Sequence, residues 1–271
     1  MSKKYIVILF GLLLCVLVSA CGAEPSWESG KVTEAAPKLS SENVQAKWTL
    51  NGGELPAAGK ETRIQLQIAK NDGAAIEQFE TNHEKLLHLI VISKDLSYFN
   101  HVHPSYKGDG TFEIGNVFPA GGEYRLIADF QPSGGDSMTK MTWTRIGGEQ
   151  TKPAPVVPDK ELVQVAEGKR VALSIDRLEA KTESKLVFSF SDERTGEPIS
   201  DLEPYLGAIG HVVILSEDGE RYLHVHAEEG QTAGPEAVFE TAFPQSGTYK
   251  IWGQFQRARQ VFTVAYVIKV P

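Results

Sequence analysis

From about residue 44 onward the chain alternates apolar and polar positions in short runs, broken at close spacing by Gly, Asp, Asn and Pro. Val187-Phe188-Ser189-Phe190-Ser191 and Val261-Phe262-Thr263-Val264-Ala265-Tyr266-Val267 are the clearest cases. A period of two sends successive side chains to opposite faces, so these runs predict strands with one buried face, paired in antiparallel sheets. Almost no segment carries the helical period. In the second half, strands are expected to begin near Val171, Leu186, His211, Tyr222, Val238, Tyr249 and Val261.

The two halves answer each other. Phe118-Pro119-Ala120-Gly121-Gly122-Glu123-Tyr124-Arg125-Leu126 corresponds to Phe243-Pro244-Gln245-Ser246-Gly247-Thr248-Tyr249-Lys250-Ile251, and Asp129-Phe130-Gln131 to Gln254-Phe255-Gln256. This is a duplication of one unit rather than an array. Seven short strands in about a hundred residues predict an immunoglobulin-like sandwich for each copy. The fold class is therefore all-β, with two tandem immunoglobulin-like antiparallel β-sandwich modules. Module 1 is assigned to residues 44–147 and module 2 to 166–271. Between them 148–165, with Lys152-Pro153-Ala154-Pro155-Val156-Val157-Pro158, reads as a stiff proline-rich linker.

The N-terminus lacks that texture. Lys3 and Lys4 precede an apolar stretch from Ile6 to Val18, too short to span a bilayer comfortably, which ends in Val18-Ser19-Ala20-Cys21. This pattern resembles the recognition site of the lipoprotein signal peptidase. The resemblance implies that residues 1–20 are a lipoprotein signal peptide and that Cys21 becomes the lipid-modified first residue of the mature chain. Residues 21–43, rich in Ser, Glu, Pro, Ala and Lys, then read as a flexible tether. The expected location is the extracytoplasmic side of a cell membrane, with the acyl anchor as the membrane contact.

Composition narrows the chemistry. The only other cysteine, Cys15, leaves with the signal, so no disulfide and no thiolate ligand is expected. A formal charge of −8 without basic clusters argues against a nucleic-acid partner.

Six of the seven histidines fall into two copies of one pattern: His88, then His101 and His103; and His211, then His224 and His226. In each copy the first and second histidines are thirteen residues apart. Asp218-Gly219 between apolar runs predicts a two-residue type I′ hairpin, which places His211 opposite His226 with His224 diagonal to it. Asp95-Leu96 does the same for His88, His103 and His101, although its turn lacks the glycine. Leu89, Val91 and Val102, with Val212, Ile214, Leu223 and Val225, form the core face. The histidines lie on the other face, at the sheet surface or in a cleft between modules. Neutral imidazoles with an open position and no convergent carboxylate suit copper or zinc. Binding is expected to weaken below about pH 6, as free imidazoles protonate. Met138 and Met141 offer a thioether for Cu(I), or are ordinary strand residues. His83 has no counterpart, Leu206 standing in its place, and is read as a loop residue or a peripheral ligand. No catalytic residue set stands out, so the chain is read as a non-enzyme.

Gly210-His211, Tyr222-Leu223-His224-Val225-His226 and the tract from Leu202-Glu203-Pro204-Tyr205-Leu206-Gly207 to Gln256 give the chain a resemblance to secreted bacterial lipoproteins with a His-x-His hairpin, similar to the YtkA-like domain family. The resemblance implies an extracytoplasmic β-sandwich associated with metal handling, copper especially. Module 1 departs from it by lacking the Glu-Pro-Tyr-Leu-Gly approach to His88. The reading is a membrane-anchored copper- or zinc-binding buffer, carrier or sensor with an envelope or metal-handling protein as partner. Its alternative is a non-catalytic interaction module whose histidines are structural or pH-sensing. The trios either hold one ion each or face each other across the modules in one larger site.

Overall fold

Period-two alternation becomes strand throughout the described chain. A computed structural model describes residues 38–271 except 224 and 232. The signal peptide, Cys21, most of the tether and His224 lie outside the described residues.

Module 1 contains β1 (Val44–Leu50), β2 (Glu61–Lys70), β3 (Leu87–Ser93), β4 (Phe99–Val102), β5 (Ser105–Gly108), β6 (Thr111–Val117), β7 (Gly122–Phe130) and β8 (Met138–Ile146). Module 2 contains β9 (Val163–Ala166), β10 (Lys169–Ile175), β11 (Glu183–Asp192), β12 (His211–Ser216), β13 (Tyr222–Leu223), β14 (His226–Ala227), β15 (Glu236–Ala242), β16 (Gly247–Arg257) and β17 (Gln260–Val270). The seven strands expected in module 2 are all present. β9, which begins inside the segment read as linker, and β14 are additional. At the other boundary Leu39 already bridges to Gly135.

Each module is a sandwich of two sheets, ordered β1-β2-β6-β5 and β4-β3-β7-β8 in module 1, and β13-β12-β16-β17 and β14-β15-β11-β10-β9 in module 2. Neighbouring strands pair antiparallel. Leu89 and Val91 enter the module 1 core with Leu126 and Phe130, while Val212 and Ile214 enter the module 2 core with Ile251 and Phe255.

The alternate residues are buried as well. Ile90, Ile92 and Ile127 of module 1 pack with Val213, Leu215 and Trp252 of module 2 in a third core, closed at its edge by Leu96. The β4-β3-β7-β8 sheet thus stacks face to face on the β13-β12-β16-β17 sheet, giving four layers in one compact unit. β3 is buried on both faces, and six of its seven residues are buried. Phe99 stacks on Trp252 with ring centroids 5.1 Å apart.

The two hairpins keep the expected register. Ile214 faces Leu223 and Leu215 faces Tyr222; Ile90 faces His101 and Leu89 faces Val102. The turn itself differs from the two-residue type I′ expectation. Ser216 N–H donates to Arg221 O, leaving a four-residue loop in which Gly219 N–H returns to Ser216 O at 2.8 Å. Of the two turn residues only Gly219 has a positive φ, 74°, whereas type I′ requires both. Asp218 explains the change. Its carboxylate accepts from Ser216 Oγ and from the Glu220 N–H, an Asx-type turn that competes with the tighter hairpin. Asp95 repeats these bonds from Ser93 Oγ and Ser97 N–H, and Leu96 takes the left-handed position at φ 57°.

Type I′ geometry occurs elsewhere. Asn82 and Lys85 exchange both backbone hydrogen bonds around His83 (φ 46°) and Glu84 (φ 63°). Tyr205 and Ala208 do the same around Leu206 and Gly207. These turns immediately precede β3 and β12, at one end of the intermodule layer.

Candidate metal centre

The parity that sends Ile90 and Val213 into the intermodule core also carries the histidines there. His88 opens β3 two residues before Ile90, His101 sits opposite Ile90 on β4, and His211 opens β12 two residues before Val213. They meet at the end of the intermodule layer. Ring centroids of His88 and His101 are 5.2 Å apart, His88 and His103 5.0 Å, His101 and His103 4.7 Å, and His101 and His211 4.7 Å. His88 and His211 stack at 5.4 Å with planes 9° apart. One ring nitrogen from each of His88, His101 and His103 falls in a set within 4.8 Å of one another.

The module 1 trio and the first histidine of module 2 share one place. His226 departs from the expected arrangement: instead of facing His211 across the hairpin, it pairs with Glu240 on β15, in the other sheet of its module. The chain changes sheets between Leu223 and His226, which removes His226 from the patch that register alone assigned to it. His83, read as a loop residue or a peripheral ligand, stands beside the cluster, 5.6 Å from the His211 ring and 6.1 Å from that of His88.

Outer hydrogen bonds fix the tautomers of the two most buried rings. His88 Nε2 lies 2.9 Å from the Asn82 carbonyl oxygen, and His101 Nδ1 lies 2.7 Å from Gln254 Oε1. Both present an oxygen as placed, with the Gln254 amide nitrogen turned to Thr263 Oγ1. Each outer nitrogen must then carry the proton. A neutral imidazole has one N–H, so His88 Nδ1 and His101 Nε2 both present lone pairs. These two nitrogens face each other at 3.0 Å. A cation between them, a proton or a metal ion, makes that arrangement favourable.

Burial opposes the proton. Desolvation lowers the His88 pKa, with Asp129 and the Asn82 bond only partly compensating. Desolvation, then repulsion from His88 and His103, pushes His101 down to about 3. Desolvation and neighbouring His88 and Lys85 push His103 down to about 4. His211 is held well below its ordinary value by desolvation first and the other rings second. The Nε2 atoms of His103 and His211 are also buried without a hydrogen-bond partner. Rings lowered in this way keep their lone pairs below the pH at which free imidazoles protonate.

The imidazoles of His88, His101 and His103, with ring nitrogens within 4.8 Å of one another, are a donor set for zinc or copper, and the His211 ring stands against them. Nitrogens bound tetrahedrally at about 2.0–2.1 Å stand roughly 3.3 Å apart, close to the observed His88–His101 separation. Asp129, opposite His88 on β7, supplies nearby negative charge and accepts a 3.1 Å hydrogen bond from Tyr222 Oη. Met138 is buried in the module 1 core and Met141 packs against the intermodule core, so packing accounts for both.

A family model described as Domain of unknown function (DUF8832) matches residues 41–147 and again 164–271. No curated protein matches. Among solved structures, invasin, a bacterial integrin-binding protein, is 10% identical, with 82% of this chain and 39% of that one covered, at a TM-score of 0.25. Domains 4 and 5 of the S-layer protein SbsC are 9% identical over 83% of this chain and 96% of that one, at a TM-score of 0.23. The fibronectin(III)-like modules of Clostridium thermocellum CbhA are 14% identical over 82% of this chain and 92% of that one, at a TM-score of 0.21.

Proposed function

The chain belongs to the family described as Domain of unknown function (DUF8832), and we propose that it binds one copper or zinc ion between its two sandwich modules. The observation that carries this reading is the approach of His88 Nδ1 and His101 Nε2 to 3.0 Å, with an oxygen beside the outer nitrogen of each ring. His103 and His211 add two buried ring nitrogens without partners. The ion would be held by His88, His101, His103 and His211, with His83 next to them. In this reading the protein is a buffer, carrier or sensor rather than an enzyme.

We carry the lipid anchor at Cys21, extracytoplasmic attachment and likeness to YtkA-like lipoproteins as parts of the same reading. A protein that hands over or receives the ion in the cell envelope is its natural partner. The alternative is a docking module in which the histidines merely fill the interface. The tandem sandwich favours it equally, since such modules commonly present binding surfaces.

Calorimetry with Cu(II) and Zn(II) on the full chain, with elemental analysis, separates them. One ion per chain, lost in both His101→Ala and His211→Ala, is expected. Two ions would mean separate sites. Binding no tighter than about 0.1 mM, roughly −5.5 kcal/mol, would leave the docking reading.

A further inference from the structure

We propose that the cleft beside the cluster is an outer cation station, through which the ion reaches the buried histidines. This rests on the reading of that cluster as a metal site.

The cleft has a volume of about 330 Å³ and is lined by His83, Gly207, Ile209, His226, Glu228 and Glu229, among others. His83 is its shared wall with the interior: one residue lines the cleft and also places its ring 5.6 Å from His211. The cluster itself is closed by burial, His88 being 3% and His101 9% exposed. An ion therefore needs a path, and the cleft offers imidazole and carboxylate donors at its mouth. His226 is exposed there, on the two-residue β14. Glu229, also exposed, is the acid free to meet an incoming ion, since Glu228 is engaged by Lys185.

The rim is held in shape. Gln231 donates to the Glu228 and Val238 carbonyls at 2.9 and 2.7 Å and accepts from the Val238 N–H at 2.6 Å. On the opposite side, the paired turns meet where Gly207 lies against Glu84, so a Cβ at Gly207 would sit 3.5 Å from Glu84 Cγ. A hydrated Zn(II) or Cu(II) ion caught by His226 and Glu229 would exchange water for imidazole stepwise. His83 then passes it to His211 and the inner rings. A station of this kind changes how fast the site fills and empties, and leaves the final coordination untouched.

The test is stopped-flow loading of the full chain in detergent with Cu(II) at neutral pH, read by quenching of tryptophan fluorescence, alongside equilibrium affinity. The His226→Gln/Glu229→Gln double variant is expected to load about tenfold more slowly and to release more slowly in proportion, at nearly unchanged affinity. Glu54→Gln, a carboxylate in a module 1 loop, is expected to load at the wild-type rate. Wild-type loading by the double variant would overturn the proposal while leaving the metal site standing. Weaker affinity caused entirely by faster release would also overturn it, making His226 a resident ligand. If wild type takes up no ion, the metal reading fails and this proposal fails with it.

Discussion

Gln254 never needs to touch an ion to control the cluster. Its Oε1 receives the His101 Nδ1 proton at 2.7 Å and so turns the His101 lone pair toward His88. Removing that acceptor frees His101 to take the other tautomer and donate to His88 Nδ1, which relieves the facing lone pairs when no ion is bound. Gln254→Leu is therefore expected to lower copper or zinc affinity about 10–100-fold. The metal-free protein should unfold at an unchanged or slightly higher temperature. Calorimetry and thermal melts on the same variant check both, and equal losses in the two would mean simple misfolding. In the sequence, Gln254 was visible only as the counterpart of Asp129, and nothing in a glutamine marks it as the partner of a histidine 153 positions away. His83 was harder still. Its nearness comes from a type I′ turn whose two positive-φ residues are His83 and Glu84, neither of them glycine. His101 and His103 were legible because their spacing is local to one hairpin.

At the level of elements, register was readable and turn chemistry was not. Opposed apolar runs fixed which residues face each other, and a slip of one would have moved every side chain to the wrong face. The aspartate-led loop escaped notice because Asp-Gly speaks equally for a tight turn and for an Asx turn. That loop also makes the intermodule contact. Glu220 accepts from Arg125 and Trp143 at 2.8 Å each, and a Cβ at Gly219 would stand 2.7 Å from the Trp143 ring. Lys250, the counterpart of Arg125, donates reciprocally to Leu96 O at 2.7 Å. Gly219→Ala meets both the left-handed φ and the indole. It should destabilise the protein by about 1–2 kcal/mol and shift the tryptophan emission. Chemical denaturation with fluorescence detection checks this, and a neutral result would show that Trp143 moves aside without cost. The equivalent position tolerates Leu96 because its side chain is fully buried in the intermodule core.

Across the whole molecule, the stacking of module on module had a signal that strand alternation obscured. His88-Leu89-Ile90-Val91-Ile92 and His211-Val212-Val213-Ile214-Leu215 are unbroken apolar runs after the histidine, the mark of strands covered on both faces. Taking one parity as core put the other at the sheet surface or in a cleft between modules. Which sheet would cover it depends on contacts between modules, and these have no local pattern. The covering has an electrostatic cost. Unfolded, the four histidines titrate near 6.5, while desolvation holds all of them lower in the fold, His101 at about 3 and His103 at about 4. Between the two sets of values the unfolded chain binds more protons, so stability rises with pH. The metal-free protein should be fully stable above about pH 6.5 and weaken steadily down to about pH 4. His101 alone accounts for a loss on the order of 2 kcal/mol at pH 5. His101 and His103 remain largely unprotonated down to about pH 5, so a bound ion meets little competition from them. The extra melting temperature conferred by copper or zinc should therefore stay nearly constant from pH 7 to pH 5 and collapse only nearer pH 4. Melts with and without metal at half-unit steps decide it. A metal increment already gone by pH 6 would mean that the ion sits on exposed, ordinary histidines such as His226 and not in the buried cluster.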